Sequence, residues 1–508
     1  MEMKEFRLAA VFSSHMVLQR DKKVCVFGEG PEGEKVTVEF AGQLMETRIK
    51  EERWQVILSP MKAGVRGELV AVCGTRYHIF TDVCVGEVWL AGGQSNMEYE
   101  LSRSVGGKEA LAGEEPDVRY YQVPRLSWKN DNFCEEEAAS AWELFSEEKA
   151  GKWSAVAFYF AQRISRELGV TVGIIGCSWG GTSAAAWVPE NVLQEDSVLR
   201  IYWEEYEETV EGVSQEQQLR EYEEYETYFE QWNRKAMEYW RKFPELTWQE
   251  VERDCGDSRW PGPVNCVHPF RPSGLYHCML ERVMPYTMKG FLYYQGEADE
   301  ARAGMYGRLL GRLIEQWRTD WEEENMPFLL VQLPGYQNPL REDDRSWCII
   351  REAQMQVFHT IKNTGIAVIL DCGDKNEIHP ADKREVGRRL ALQALCEIYG
   401  VIDKEEAFGP VYRTSYPCED KMEVEFDYTG RGIQLREYGE EAAPFEIAGE
   451  DKIFRKANAE VKGGKLLVWS DEIKMPMYVR YCWHNFSVPV VFGMNGIPAA
   501  PFRTSKND

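Results

Sequence analysis

The sequence predicts an α/β protein with a parallel-sheet core, preceded by a β-sandwich and followed by a β-rich region. Three observations carry that expectation. From about residue 85 onward, five runs rich in apolar and β-branched residues recur: VCVGEVWLAG, VTVGIIG, KGFLYYQG, PFLLVQL and TGIAVILD. Helix-like segments lie between and beside them, among them SAVAFYFAQRISRELG, ARAGMYGRLLGRLIEQWRTDW and CIIREAQMQVFHTIK. Buried strands alternating with amphipathic helices build a parallel sheet covered on both faces. On either side of this stretch the pattern changes to short runs of alternating apolar and polar residues, the signature of antiparallel strands.

In chain order, residues 1–84 hold such runs as KVCVFGEG, EKVTVEF, RWQVILSP and GELVAVCG, punctuated by Gly and Pro, and read as an N-terminal β-sandwich domain. Residues 85–400 form the α/β core, closing on the helix KREVGRRLALQALCEIYG. An insertion at about 190–262 interrupts the core between its second and third strands. Within it, residues 201–250 carry 14 Glu against 5 Lys or Arg. Tyr222, Tyr225, Phe229, Trp232 and Trp240 follow helical spacing there, which predicts a helical hairpin whose aromatic stripe is mainly its own core and whose charges are its solvated face. Residues 401–508 return to short alternating strands such as KLLVWS and MYVRYCWHN, either as a separate domain or packed with the N-terminal domain and the core.

Composition narrows the functional classes. A chain of 508 residues is long enough for about three domains and needs neither disulfide nor structural metal to build a core. The formal net charge of −25 argues against a nucleic-acid partner, which demands clustered Lys and Arg, and against docking on an anionic membrane. Thirteen Cys, no two within ten positions of each other, exclude C-x-x-C redox or zinc spacing. With no signal-like segment at the start and no long apolar stretch, these thiols point to a cytoplasmic protein.

In an open parallel sheet, ligands bind at the carboxyl ends of the strands. That rule selects four places. The first strand ends in Gly92-Gly93-Gln94-Ser95-Asn96-Met97, and the second in Gly176-Cys177-Ser178-Trp179-Gly180-Gly181-Thr182. The third ends in Tyr294-Gln295-Gly296-Glu297. The fifth is followed, beyond Asp371, by Asn376-Glu377-Ile378-His379-Pro380. A hydroxyl, a glycine turn, a side-chain amide and an imidazole on one rim are the parts of an acyl-transfer site.

The ordered set GQSNM, SWGGT, YYQGEAD and IHPADK resembles the SGNH (GDSL-like) hydrolases, and more narrowly the sialate O-acetylesterase family of carbohydrate acetylesterases. The resemblance runs nearly end to end, through FSSHMVLQR, GEVWLAGGQSNME, KGFLYYQGEAD, the REAQ helix, FEIAGEDKIFRKANAEV and GIPAAPFRT. It implies an SGNH-hydrolase-like core and an esterase that removes O-acetyl groups from sugars, foremost O-acetylated sialic acid, with acetylxylan or another glycan as the alternative. It calls for neither cofactor nor metal.

Position by position, the resemblance makes Ser95 the nucleophile and His379 the general base. Ser95 would also donate its own N–H to the oxyanion, with Gly181 (or Gly180) as a second donor and Gln295 as a third. By itself Ser95 would read as a helix N-cap, and Gln295 as a buried, satisfied amide. The wider SGNH pattern places Asp three residues before the histidine, where this chain has Asn376. Glu377 is then the candidate acid of a triad, the alternative being a Ser95–His379 dyad. Asp371 and Asp374 are weaker substitutes, and Glu297 and Asp299 read as structural hydrogen-bonding groups. Gly176-Cys177-Ser178-Trp179-Gly180 also fits the G-x-S-x-G nucleophile elbow, but only one well-placed histidine serves either serine. Arg271, Arg345 and Arg351 could meet a substrate carboxylate, although ordinary ion-pair roles are the plainer reading. A non-catalytic carbohydrate-binding protein on a relict core is the alternative of another class.

Overall fold

The computed structural model describes residues 5–243, 246–439 and 443–505. It is a mixed α/β structure. One compact unit comprises Met1–Val123, Ala138–Ala184 and Val283–Asp508, and a second comprises Pro124–Glu137 and Ala185–Arg282.

The first unit is organised by a sheet whose neighbours run, in order, Glu143–Leu144, Val118–Gln122, Val172–Ser178, Arg76–Gly93, Gly290–Tyr294, Phe328–Val331 and Thr364–Ala367. All of these pair in parallel except the short edge strand Glu143–Leu144. The chain lays Arg76–Gly93 in the middle, runs out to Val118–Gln122 and the edge strand Glu143–Leu144, returns to insert Val172–Ser178 beside the central strand, then crosses to build the other side. The crevice at this reversal lies at the carboxyl end of Arg76–Gly93, where such sheets bind ligands. Helices Ala155–Leu168, Ala303–Asp320, Ser346–Thr360 and Lys383–Glu397 fall on the segments whose periodicity predicts them. The first shows why the local sequence stops and starts where it does. Ser154 caps it by accepting from the Ala157 N–H at 3.1 Å, and Gly169 ends it in a left-handed turn.

All five expected core strands form. A sixth, Val118–Gln122, was not expected. Its Arg119 is 2% exposed and donates to the carbonyls of His15 at 2.8 Å and Asp82 at 2.6 Å and to Asp82 Oδ1 at 3.2 Å. A buried arginine breaks the apolar run that marks the other strands.

The expected boundary at 84/85 falls inside the continuous strand Arg76–Gly93. Its first half pairs antiparallel with Arg66–Cys73, and its second half pairs parallel with both central neighbours. The earlier strands Lys35–Phe40 and Arg53–Leu58 alternate buried and less buried residues as the pattern predicts, whereas Val24–Glu29 opens on three buried residues. In the C-terminal region, Val411–Cys418, Lys421–Asp427, Lys465–Trp469 and Asn458–Lys462 form a four-stranded antiparallel sheet. Met422, Val424, Leu466 and Val468 from it share a core with Phe445, Tyr481 and Phe502, and with Leu370 at the end of the fifth expected strand.

The second unit is mainly helical. Its long helix Gln215–Lys242 is capped by Ser214 and packs on Trp248–Cys255, itself closed by a Thr247–Glu250 capping box. Trp232, Ala236 and Val251 are the core of this pair. Tyr225, Phe229 and Trp232 stack in succession at 5.7 and 5.9 Å, and Trp232 meets Trp248 at 4.9 Å. The aromatic stripe is thus an internal packing surface of the insertion.

Candidate active site

Gly93, the last residue of the central strand, is flanked in register by Ser178 and Tyr294. Its φ is +137°, and a Cβ there would lie 2.1 Å from the Tyr294 carbonyl oxygen. Only glycine lets the chain turn this closely against its neighbour. The turn continues as Gln94 donates its N–H to the Tyr294 carbonyl at 3.1 Å, and Trp179 donates to the Gly93 carbonyl at 3.1 Å. Ser95 follows as the first residue of the short helix Ser95–Glu98, where the leading N–H has no intrahelical acceptor.

His379 reaches Ser95 from the loop after the last core strand. Its Nε2 lies 2.8 Å from Ser95 Oγ. Glu377 Oε1 accepts the backbone N–H of His379 at 2.8 Å and stands 3.5 Å from its Nδ1. The imidazole beside it, and the backbone N–H that it accepts, hold the Glu377 carboxyl below the usual range. The other carboxylates of the region are engaged elsewhere. Asp371 forms a bidentate pair with Arg389 at 2.5 and 2.7 Å, and Asp374 Oδ1 accepts the N–H groups of Asn376 and Glu377.

The glycine turn lies directly against the serine. A Cβ on Gly180 would sit 3.2 Å from Ser95 Cβ. The Gly180 N–H is donated to Glu98 Oε2 at 3.0 Å, and Gly181 follows in the left-handed region at φ +75°. Gln295 is 1% exposed, and its Nε2 faces three acceptors: Asp299 Oδ2 at 2.6 Å, the Thr182 carbonyl at 3.2 Å and Gln94 Oε1 at 3.3 Å. Asp299 also accepts from Ser183 Oγ at 2.6 Å and from the Ala184 N–H at 3.0 Å, which ties the glycine loop to the third strand's loop.

Behind the pair lies a buried polar network in which Glu297 is the expected hydrogen-bonding group, while the motifs alone give Asn96 and Lys383 no role. Asn96 Nδ2 donates to Glu297 Oε1 at 2.6 Å and to the Ile378 carbonyl at 2.9 Å. Asn96 Oδ1 accepts from Lys383 Nζ at 2.5 Å. Both residues stand inside conspicuous motifs, GQSNM and IHPADK, and that position was the available signal.

Ser178, the elbow candidate, is buried at the end of its strand. Among the described residues, the serine hydroxyl within hydrogen-bond reach of an imidazole is that of Ser95. Arg351 is fully buried and donates to the carbonyls of Pro334, Asn485 and His484 at 3.0, 3.1 and 2.5 Å, so it faces no ligand. Arg271 donates to the Ser127 carbonyl at 3.2 Å within the second unit, and Arg345 stands half-buried at the head of a helix. Among the described residues, no group of three or more His, Cys, Asp or Glu is arranged to hold a metal ion.

A serine hydroxyl paired with an imidazole at the reversal point of a parallel sheet has the form of a serine-type ester hydrolase. The comparisons with known proteins agree. Residues 265–396 match the family described as carbohydrate esterase, sialic acid-specific acetylesterase. The chain is 28% identical over 442 residues to the sialate O-acetylesterase of Mus musculus, covering 78% of this chain and 74% of that protein. To the Homo sapiens sialate O-acetylesterase it is 26% identical over 436 residues, covering 78% and 71%. The crystal structure of a carbohydrate acetylesterase from Xanthomonas citri superposes with a TM-score of 0.77 at 26% identity, covering 98% of this chain and 99% of that one. With these similarities, the chain is an esterase acting on acetylated carbohydrate.

Proposed function

We propose that this esterase removes O-acetyl groups from sialic acid through an acetyl-Ser95 intermediate on an SGNH-type core. The observation that carries the proposal is the 2.8 Å contact between Ser95 Oγ and His379 Nε2 at the sheet's reversal point. Ser95 Oγ attacks the acetyl carbonyl as His379 Nε2 takes its proton. The N–H groups of Ser95 and Gly181 hold the tetrahedral oxyanion, because the Gly180 N–H is already given to Glu98. Gln295 is the third donor. Asp299 holds one amide proton, and the other, shared by the two longer contacts to Thr182 and Gln94, is the more weakly held and the one available to an oxyanion. His379 returns its proton to the departing sugar oxygen, and water then repeats the sequence on the acetyl-enzyme. Glu377 orients and stabilises the imidazolium as triad acid, in the place where Asn376 departs from the wider pattern.

Acetate release from p-nitrophenyl acetate and O-acetylated sialic acid, measured for the wild type, Ser95→Ala and Ser178→Ala, tests this. Ser95→Ala should lose activity and Ser178→Ala keep it; the reverse pattern moves the nucleophile to the elbow. Faster release from acetylated xylo-oligosaccharides than from sialic acid would replace the substrate while leaving the mechanism. Glycan binding without any acetate release would favour a non-catalytic role. The three-part division at 84/85 and 400/401 enters as part of the same reading. So does a reducing, cytoplasmic setting, supported by thirteen unbridged thiols. No helix among the described residues is long and apolar enough to cross a membrane.

A further inference from the structure

We infer that Asn96, clamped between Lys383 and Glu297, is the positioning residue that holds Ser95 and His379 in register, and that Lys383 must carry its proton for the clamp to work. This rests on Ser95 and His379 being the reacting pair.

Asn96 is 0% exposed, and both of its N–H groups are donated, one to Glu297 Oε1 and one to the Ile378 carbonyl. Its oxygen takes the Lys383 ammonium. A cation on the oxygen and a carboxylate on the nitrogen make both contacts charge-assisted. They also fix the amide's orientation, since a half-turn would set donor against donor and acceptor against acceptor. Asn96 is the residue after Ser95, and Ile378 is the residue before His379. One side chain therefore ties the backbones of nucleophile and base together, although the two are 284 positions apart in sequence.

Lys383 is built in rather than accidental. It is 0% exposed at the start of the helix Lys383–Glu397, whose Asp382 cap accepts the Glu385 N–H at 3.3 Å. Its Nζ lies 4.9 Å from the Tyr99 ring centroid and 5.4 Å from that of Tyr294. The titratable groups that face it are Glu297, Cys372, Glu377 and Asp382, with the Tyr99 and Tyr294 phenols alongside. Glu297 in turn faces His379 as well as Lys383. Burial lowers the Lys383 amine to about 8 and raises the Glu297 carboxyl. An ammonium so placed loses its proton at mildly alkaline pH, and the clamp then loses its charge-assisted grip on Asn96 Oδ1.

The experiment compares wild type, Asn96→Ala, Lys383→Met and Lys383→Arg for acetate release from p-nitrophenyl acetate between pH 6 and 10. The rate at which a fluorophosphonate labels Ser95 is read in parallel by mass spectrometry. Misplacement of a reacting group by about 1 Å costs on the order of 10²-fold. Asn96→Ala and Lys383→Met should therefore lower kcat and labelling by roughly that factor, with KM changed less than about twofold. Wild type should lose kcat on the alkaline side near pH 8, and Lys383→Arg, which keeps its charge, should move that limb upward. A wild-type profile flat to pH 10, or a Lys383→Arg limb that stays in place, overturns the inference even if Asn96→Ala fails to fold. Unchanged kcat in folded Asn96→Ala and Lys383→Met does the same. If the wild type is not labelled at Ser95 at all, the underlying assignment of the nucleophile has failed instead.

Discussion

Glu98 accepts the Gly180 N–H on Oε2 at 3.0 Å, three residues beyond Ser95, whose Cβ would lie 3.2 Å from a Cβ placed on Gly180. The carboxylate therefore pins the glycine loop to the helix that starts at Ser95 and engages the Gly180 N–H, leaving Gly181 as the glycine proposed to meet an oxyanion. Glu98→Gln keeps an acceptor oxygen and should retain most of the activity. Glu98→Ala frees the loop and should lower kcat about 10-fold with little change in KM. Gly180→Ala should cost more, because its Cβ would stand 3.1 Å from Glu98 Oε1 and 3.2 Å from Ser95 Cβ. Steady-state acetate release for the three variants decides it, and a near-normal Gly180→Ala would break the argument.

Much of this architecture is legible in the residues, for identifiable reasons. The five expected core strands are buried on both faces, so they write themselves as apolar runs. Val118–Gln122 escapes because Arg119 inside it is held by the carbonyls of Asp82 and His15 and by the Asp82 carboxylate, contacts that no local pattern encodes. The boundary at residue 84 looks sharp because alternation gives way to a continuous apolar run there, yet one strand carries both patterns as its partners change. Ser95, His379 and the glycine pair stand out because strand ends are where such groups collect. Lys383 does not, because a lysine at the start of a helix ordinarily reads as solvated, and nothing local says that Asn96 waits for it.

Gln295 offers a direct test of the oxyanion assignment. Loss of an oxyanion donor costs about 10²–10³ in kcat. Gln295→Leu should fall in that range with KM nearly unchanged, since the group acts on charge that develops only in the transition state. A loss confined to KM would assign Gln295 to ground-state binding and remove it from the donor set.

Glu377 should matter less than a buried triad acid would. Its Oε1 is 3.5 Å from Nδ1, and its side chain is 60% exposed. Replacing a buried triad aspartate by asparagine costs about 10⁴. For Glu377→Gln we expect a loss of kcat nearer 10-fold, because solvent screens the charge that is removed. No loss at all would leave Ser95 and His379 acting as a dyad.

Arg351 should be a stability residue. Its guanidinium is fully buried and crosslinks the carbonyls of Pro334, His484 and Asn485, joining the loop after Phe328–Val331 to the C-terminal region. Arg351→Leu strands these acceptors and should cost on the order of 3 kcal/mol. That would be visible as a clear fall in the apparent melting temperature. Where the protein still folds, KM for an anionic acetylated sugar should be unchanged. A KM effect without a melting shift would mean that the arginine meets substrate after all.

His277, in the second unit, should make stability depend on pH. Its Nε2 lies 2.8 Å from Glu190 Oε2 and its Nδ1 3.4 Å from Glu281 Oε2, and these two carboxylates raise the imidazole to about 9. An unfolded histidine titrates near ~6.5. Because the folded value is the higher one, the folded state binds the proton more tightly, and the resulting stabilisation is full below about pH 6.5. It is lost as pH rises from there toward about 9. Thermal melts of wild type and His277→Gln across this range should therefore differ most at the acid end and converge at the alkaline end. A gap that stays constant with pH would mean that the contribution of His277 is packing and not charge.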